Sequence, residues 1–389
     1  MKRGGSRLQW LAVAVALLGA AAGVAGVLLW PAQFYGAYLT AYAYWMSVTL
    51  GCLALAMLFW LTGGLWGLAT ERFFEAGAAT LPAMIILFIP IIVGMPTLYP
   101  WTNPTAVAAD PLLLHKQPYL NIPFFLARTG FYFLVWLILD IVLLRWSRQR
   151  DQAPNALAAG RIARRLQNWS AAGLVIMSLT TTFAAIDWVM SLQPLWYSTV
   201  FGSMLSMGGV LGAFGLGVGL AALGARREPL RTVVTPRVLN DLGSLLLAMV
   251  LLWAYLEFSQ YLVVWYGDLP AEVVWYLQRV AGNWQLLVLA IIATQFVLPL
   301  MLLMVREVKR TAPLLAGIAL LILVTRYLDF YWLVKPALSQ GFNWLDVALA
   351  LGMGGVWFAI FIWRARHAPP LPRTWTVLEA QPEARRVVA

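Results

Sequence analysis

Nine charged side chains lie within, or at the edges of, long apolar runs: Glu75, Arg128, Asp140, Asp187, Asp241, Glu257, Arg326, Asp329 and Asp346. A charged side chain at the centre of a membrane helix costs at least about 2.5–3.5 kcal/mol on insertion scales, so it must pair or line a polar path. Carboxylates in such places can exchange protons, and arginines beside them keep them ionised. Electron-transfer chemistry is a poorer match. An iron–sulfur cluster needs about four thiolates, and Cys52 is the only cysteine. The two histidines, His115 and His367, fall in a connection and in the tail, which excludes a b-type haem and a structural zinc site. No Walker loop, nucleophile elbow or paired Cys-x-x-Cys occurs. No metal, no covalently bound cofactor and no catalytic residue are therefore expected. Any electron transfer must use a diffusible carrier or a partner's cofactors.

The elements that hold these charges follow from composition. Of 389 residues, 62% are hydrophobic and 11% charged, a surplus of apolar side chains that a soluble fold cannot bury. A span needs about 20 mostly apolar residues, and ten such stretches are expected, near 9–30, 36–62, 72–96, 119–146, 169–190, 198–224, 239–265, 282–306, 312–335 and 343–365. Lys and Arg are retained on the cytoplasmic side. Of the 27 basic residues, 22 fall in the termini and the even-side connections, including Arg72. The expected fold is all-α and integral to the membrane, with both termini inside. The net charge of +11 then reads as topology and contact with anionic lipid rather than nucleic acid. Lys2, Arg3 and Arg7 precede an apolar run longer than a signal-peptide core of about 7–15 residues, so the first stretch is expected to be retained. Gly208 with Gly212, and Gly215 with Gly219, form small-residue faces for close helix packing.

Topology sorts the charges by depth. The outer half receives Arg128, Asp187, Glu257, Arg326 and Asp329, with Asp346 at the outer mouth of the last span. Arg326 and Asp329 are three apart and can pair on one helix face. The inner half receives Glu75, Asp140 and Asp241, with no basic partner. Two such layers suggest proton half-channels entered from opposite sides. The alternative is that the carboxylates sit in interfacial water and the arginines only neutralise them. The outer connections PTLYPWTNP, SLQPLWYS and WYGDLPAEVVWYLQR are rich in aromatic residues and proline. Such rings belong to an interfacial belt and can also sandwich a quinone.

Three segments, PYLNIPFFLARTGFYFLVW (118–136), AAIDWVMSLQPLWYSTVFG (184–202) and YLEFSQYLVVWYGDLPAEVVWYLQR (255–279), closely resemble the second polysulfide-reductase-like membrane subunit of alternative complex III, a bacterial quinol:cytochrome c oxidoreductase. The resemblance covers all ten spans. It implies a first transmembrane helix (1–35), four-helix bundles over 36–190 and 191–335, a tenth helix (336–366) and a cytoplasmic tail (367–389), in the bacterial inner membrane. It also implies a subunit without redox centres, inactive in isolation. Its expected partners are a paralogous quinol-binding subunit, an iron–sulfur subunit, multihaem and monohaem c-type cytochromes, and lipid. Quinone or quinol is the ligand to expect, flanked by Trp188, Glu257, Gln260, Tyr261 and Arg326. The outer proton path would use Arg128, Asp187, Glu257, Arg326 and Asp329, and the inner path Glu75, Asp140 and Asp241. A secondary transporter and a purely structural scaffold are the competing readings.

Overall fold

A computed structural model describes residues 2–369 and 371, with side chains from residue 7 onward. The side chains of Lys2 and Arg3, and the tail from residue 372 with Arg373, Arg385 and Arg386, lie outside the described residues. Ten helices are long and apolar enough to cross a membrane. They are span 1 (Arg7–Leu29), span 2 (Pro31–Thr62), span 3 (Leu65–Val93), span 4 (Ile122–Asp151) and span 5 (Ala156–Leu192). Span 6 (Phe201–Gly224), span 7 (Pro236–Gly267), span 8 (Asn283–Met304), span 9 (Ala312–Leu338) and span 10 (Trp344–His367) follow. The protein is thus an all-α integral membrane protein.

Local chemistry sets the ends. Proline occupies one of the first two helical positions of spans 2, 4, 7 and 9, where its missing N–H has no partner to lose. The Asn121 and Asn155 side chains accept from Phe124 N and Ala158 N at 2.9 Å, and Asn343 forms a capping box with Asp346. These caps satisfy backbone donors that lipid cannot. Gly63 and Gly64 turn the chain between spans 2 and 3 with φ of 63° and 94°, a conformation that glycine adopts without strain.

Two spans begin well before the hydrophobicity suggests. Span 5 starts at Ala156 rather than near 169, because its arginine-bearing first turns stay helical before the apolar part begins. Span 3 starts at Leu65 rather than near 72, which moves Arg72 from a connection into a helix. Spans 2, 3, 4 and 5 pack on one another, as do spans 6, 7, 8 and 9, and spans 1 and 10 pair alongside. The two groups meet where spans 2 and 6 cross: a Cβ on Gly51 would stand 2.3 Å from the Gly209 carbonyl oxygen. The expected glycine face is used. Gly215 and Gly219 lie against Ala319 of span 9, so backbones approach as small residues allow.

Candidate functional site

The buried charges gather at two levels. They are termed here the arginine-rich end, where spans 4 and 5 are joined, and the aromatic end, which carries the Trp- and Pro-bearing connections.

At the arginine-rich end, spans 3 and 4 build an ion network. Arg72 Nη1 donates to Glu75 Oε2 at 2.7 Å and to Ser147 Oγ at 3.2 Å, and Arg72 Nη2 pairs with Asp151. Arg150 Nη2 lies 3.2 Å from Glu71 and from Asp151, and its guanidinium sits 4.6 Å from the centre of the Trp60 ring. Glu71 is fully buried and Glu75 nearly so. The expectation that the inner carboxylates lack a basic partner is therefore corrected for Glu75. Arg72 reaches it because both stand on one face of span 3, three residues apart. For Asp241 the expectation stands, since no ion pair forms to it among the described residues, but its side chain is exposed rather than part of the buried network. Asp140 is different again. It is 2% exposed, and its Oδ1 has no hydrogen-bond partner. The charges that bear on it are Arg364 of span 10, Glu75 and Arg148.

At the aromatic end, spans 4 and 5 carry a closed ion pair. Arg128 Nε and Nη2 donate to the two oxygens of Asp187 at 2.8 and 2.9 Å, and Arg128 Nη1 donates to the Tyr119 carbonyl at 2.9 Å. Tyr132 donates its hydroxyl to Asp187 at 2.8 Å. The Tyr119 and Phe124 rings lie 3.9 and 4.3 Å from the guanidinium. This saturated pair joins its two helices.

Spans 7 and 9 form the second cluster at this end. Arg326 Nη1 donates to Asp329 Oδ2 at 2.5 Å, the pairing that their spacing predicts. Half-buried Glu257 feels the charges of Asp329 and Arg326. The guanidinium faces the Phe330 and Trp253 rings at 5.3 and 5.7 Å. It also lies where a Cβ on Gly208 would be, 1.9 Å away from Nη2, so glycine there makes room for it.

The expected quinone set is divided by the fold. Glu257 and Arg326 come together. Gln260 accepts from Ser198 at 2.7 Å, and Tyr261, 44% exposed, meets Tyr276 edge to face at 5.4 Å. Trp188 belongs to the other helix group. It donates to Thr129 at 3.1 Å and packs among Phe88, Phe133 and Trp136. One part of Trp188 lines a cavity of about 250 Å³ between spans 2, 5 and 6, which is apolar apart from serine and threonine hydroxyls such as Ser178, Thr181 and Ser206. Ser178, at its rim, is exposed.

Several members were missed at first reading. Glu71, Arg150 and Asp151 fall just outside or at the edge of the apolar runs, and only the start of span 3 at Leu65 brings them into a network with Arg72. Lys335 and Asp346 form a buried ion pair at 2.8 Å that ties span 9 to span 10. Arg279, in the helix Pro270–Val280, is 1% exposed. It donates to Gln193 and to the Leu333 and Trp275 carbonyls. Burial pulls its guanidinium down to about 9, so it stays charged at neutral pH. No group of metal-binding side chains occurs among the described residues. Comparison with protein-family models and with curated proteins finds no match for this chain.

Proposed function

We propose that this chain is a membrane subunit of a bacterial quinol:cytochrome c oxidoreductase of the alternative complex III type, without redox centres of its own, and that it conducts protons. In this reading the arginine-rich end faces the cytoplasm. An iron–sulfur subunit, c-type cytochromes and a paralogous quinol-binding subunit supply the electron path. The family resemblance of the three segments is what suggests the complex.

One observation carries the proton role: buried charge is concentrated at two separated levels. Arg128 and Asp140 stand 12 residues apart on span 4, about 18 Å at 1.5 Å per residue. Quinol oxidation releases two protons with two electrons, and a carboxylate near the ring and in contact with water can accept one. Glu257 and Asp329 suit that task at the outer side. Asp187, already saturated by Arg128 and Tyr132, serves as a structural tie. Asp140 is the proton-carrying group of the inner side, with Glu75 and Glu71 held in ion pairs by Arg72 and Arg150.

Purification decides between this reading and a transporter. The tagged chain, extracted from its own membrane in mild detergent, is expected to bring c-type haem absorbance and quinol:cytochrome c reductase activity with it. A haem-free protein that binds or moves a solute by itself would overturn the proposal.

A further inference from the structure

Span 8 contains a single π-helical turn, Ile292–Val297. Its cause is local. Pro299 has no N–H to offer the Gln295 carbonyl four residues back, so the helix cannot continue in α geometry through that turn. Such widened turns often mark functional sites. Gln295 sits in this one, 0% exposed, and neither its Nε2 nor its Oε1 has a hydrogen-bond partner in the protein.

Other underused donors lie on the facing helices. Arg326 is 1% exposed, with Nε and Nη2 unpartnered, and Trp253 is 4% exposed, its indole N–H turned toward the Glu257 carboxylate without closing a bond of normal length. The Thr325 hydroxyl donates to Thr294 Oγ1 at 3.2 Å, which fixes the register of spans 8 and 9. These neighbours are joined by a short connection and run antiparallel. One step along each chain from a contacting pair therefore turns both side chains toward the same side of the helix pair, because successive residues rotate by about 100°. Gln295 and Arg326 are those next residues. Both are buried, so the shared side is the interior among spans 6, 7, 8 and 9. Gly208 bounds that interior on span 6, and the Trp253 ring lies 5.7 Å from the guanidinium on span 7.

A buried amide, a guanidinium edge and an indole N–H do not stay unsatisfied in a well-packed interior. Direct bonds among these three are absent, and with the Glu257 carboxylate beside the indole they supply the two to four polar partners that a buried water needs. We propose that the interior of the second helix group binds ordered water, held by Gln295, the free N–H groups of Arg326 and the Trp253 indole. Gln295 is its positioning residue. Gln295 lies 12 residues into span 8, about 18 Å from the aromatic end of that helix. The water therefore extends the Glu257, Arg326 and Asp329 cluster toward the membrane centre. Its use by protons rests on the function proposed above, but its existence does not.

Hydroxyl-radical footprinting of the purified full-length protein tests this, because radiolysis of bound water oxidises the aromatic side chains that touch it. Trp253 is expected to be labelled several-fold faster than Trp136 and Trp357. Those two are also buried, at 0% and 1% exposure against 4% for Trp253, with indoles bonded to Thr180 and Thr49 at 2.9 Å. Gln295→Leu should bring Trp253 down to the level of the two controls. Equal, low labelling of all three tryptophans in the wild-type protein would overturn the proposal, and this comparison stands even if the variant fails to fold. A labelled, Gln295-dependent Trp253 in a protein that moves no protons would keep the water site and sink the proton reading alone.

Discussion

Replacing Arg128 by leucine tests whether the Arg128–Asp187 pair is a structural tie. The substitution removes the two hydrogen bonds to Asp187, at 2.8 and 2.9 Å, and leaves a carboxylate with 0% exposure supported by neutral phenols alone, chiefly Tyr132. Stranding one member of a buried pair costs about 3–5 kcal/mol. Asp187→Leu strands the arginine instead. That loss should fall toward the lower end of the same range, because the Tyr119 carbonyl and the Tyr119 and Phe124 rings still hold the guanidinium. The double variant leaves no uncompensated charge. Its main cost is the lost acceptor of Tyr132, about 1 kcal/mol. The two single losses, at least about 6 kcal/mol together, therefore exceed the double loss of about 1 kcal/mol by about 5 kcal/mol or more, beyond the usual range of couplings between contacting residues. Equilibrium unfolding of the four proteins in mixed micelles, titrated with denaturing detergent and followed by tryptophan fluorescence, gives the cycle. Additive losses, with a coupling under about 0.5 kcal/mol, would refute the assignment.

Three further outcomes follow from the geometry. Asp329→Asn removes the carboxylate 2.5 Å from Arg326 Nη1 and should slow quinol:cytochrome c turnover in an assembled complex; wild-type rates would leave it a structural ion pair. Gly209→Ala places a Cβ 2.6 Å from the Ser47 carbonyl oxygen and should destabilise the crossing of spans 2 and 6 by about 1–3 kcal/mol. Gly130→Ala, with nothing within 4 Å of the new Cβ, should be neutral or slightly stabilising, so equal melting of the two variants would contradict the packing. Gly208→Ala places a Cβ 1.9 Å from Nη2 of the buried, Asp329-paired Arg326 and should lower both turnover and melting temperature; wild-type values of both would contradict this packing.

The sequence made some of this legible, for identifiable reasons. Apolar run length gave the ten spans because the bilayer imposes it. The Arg326–Asp329 pair was visible because both residues share one helix face. Arg128 and Asp187 were each conspicuous as intramembrane charges, but they stand 59 positions apart, and only the packing of spans 4 and 5 joins them. Arg72 was misplaced because a basic residue at the edge of an apolar run looks like a connection. Once Leu65 begins the helix, it becomes the centre of an ion network. Asp241 erred the other way: its depth along a helix was estimated, but the face it occupies was not. Gln295 gave no signal, since one uncharged amide hardly changes hydrophobicity. Its isolation becomes visible only when its neighbours are counted. Trp188 and Tyr261 seemed able to share a ring because both lie near the ends of spans that run into aromatic connections, yet the fold assigns them to different helix groups.

The proton-to-electron ratio of an Asp140→Asn variant, measured in proteoliposomes containing the assembled complex, tests the central claim most directly. Asp241→Asn, an exposed carboxylate outside the network, is the control. The account predicts an assembled complex in which Asp140→Asn lowers the ratio and Asp241→Asn leaves it unchanged. A wild-type ratio in the Asp140→Asn complex would contradict it.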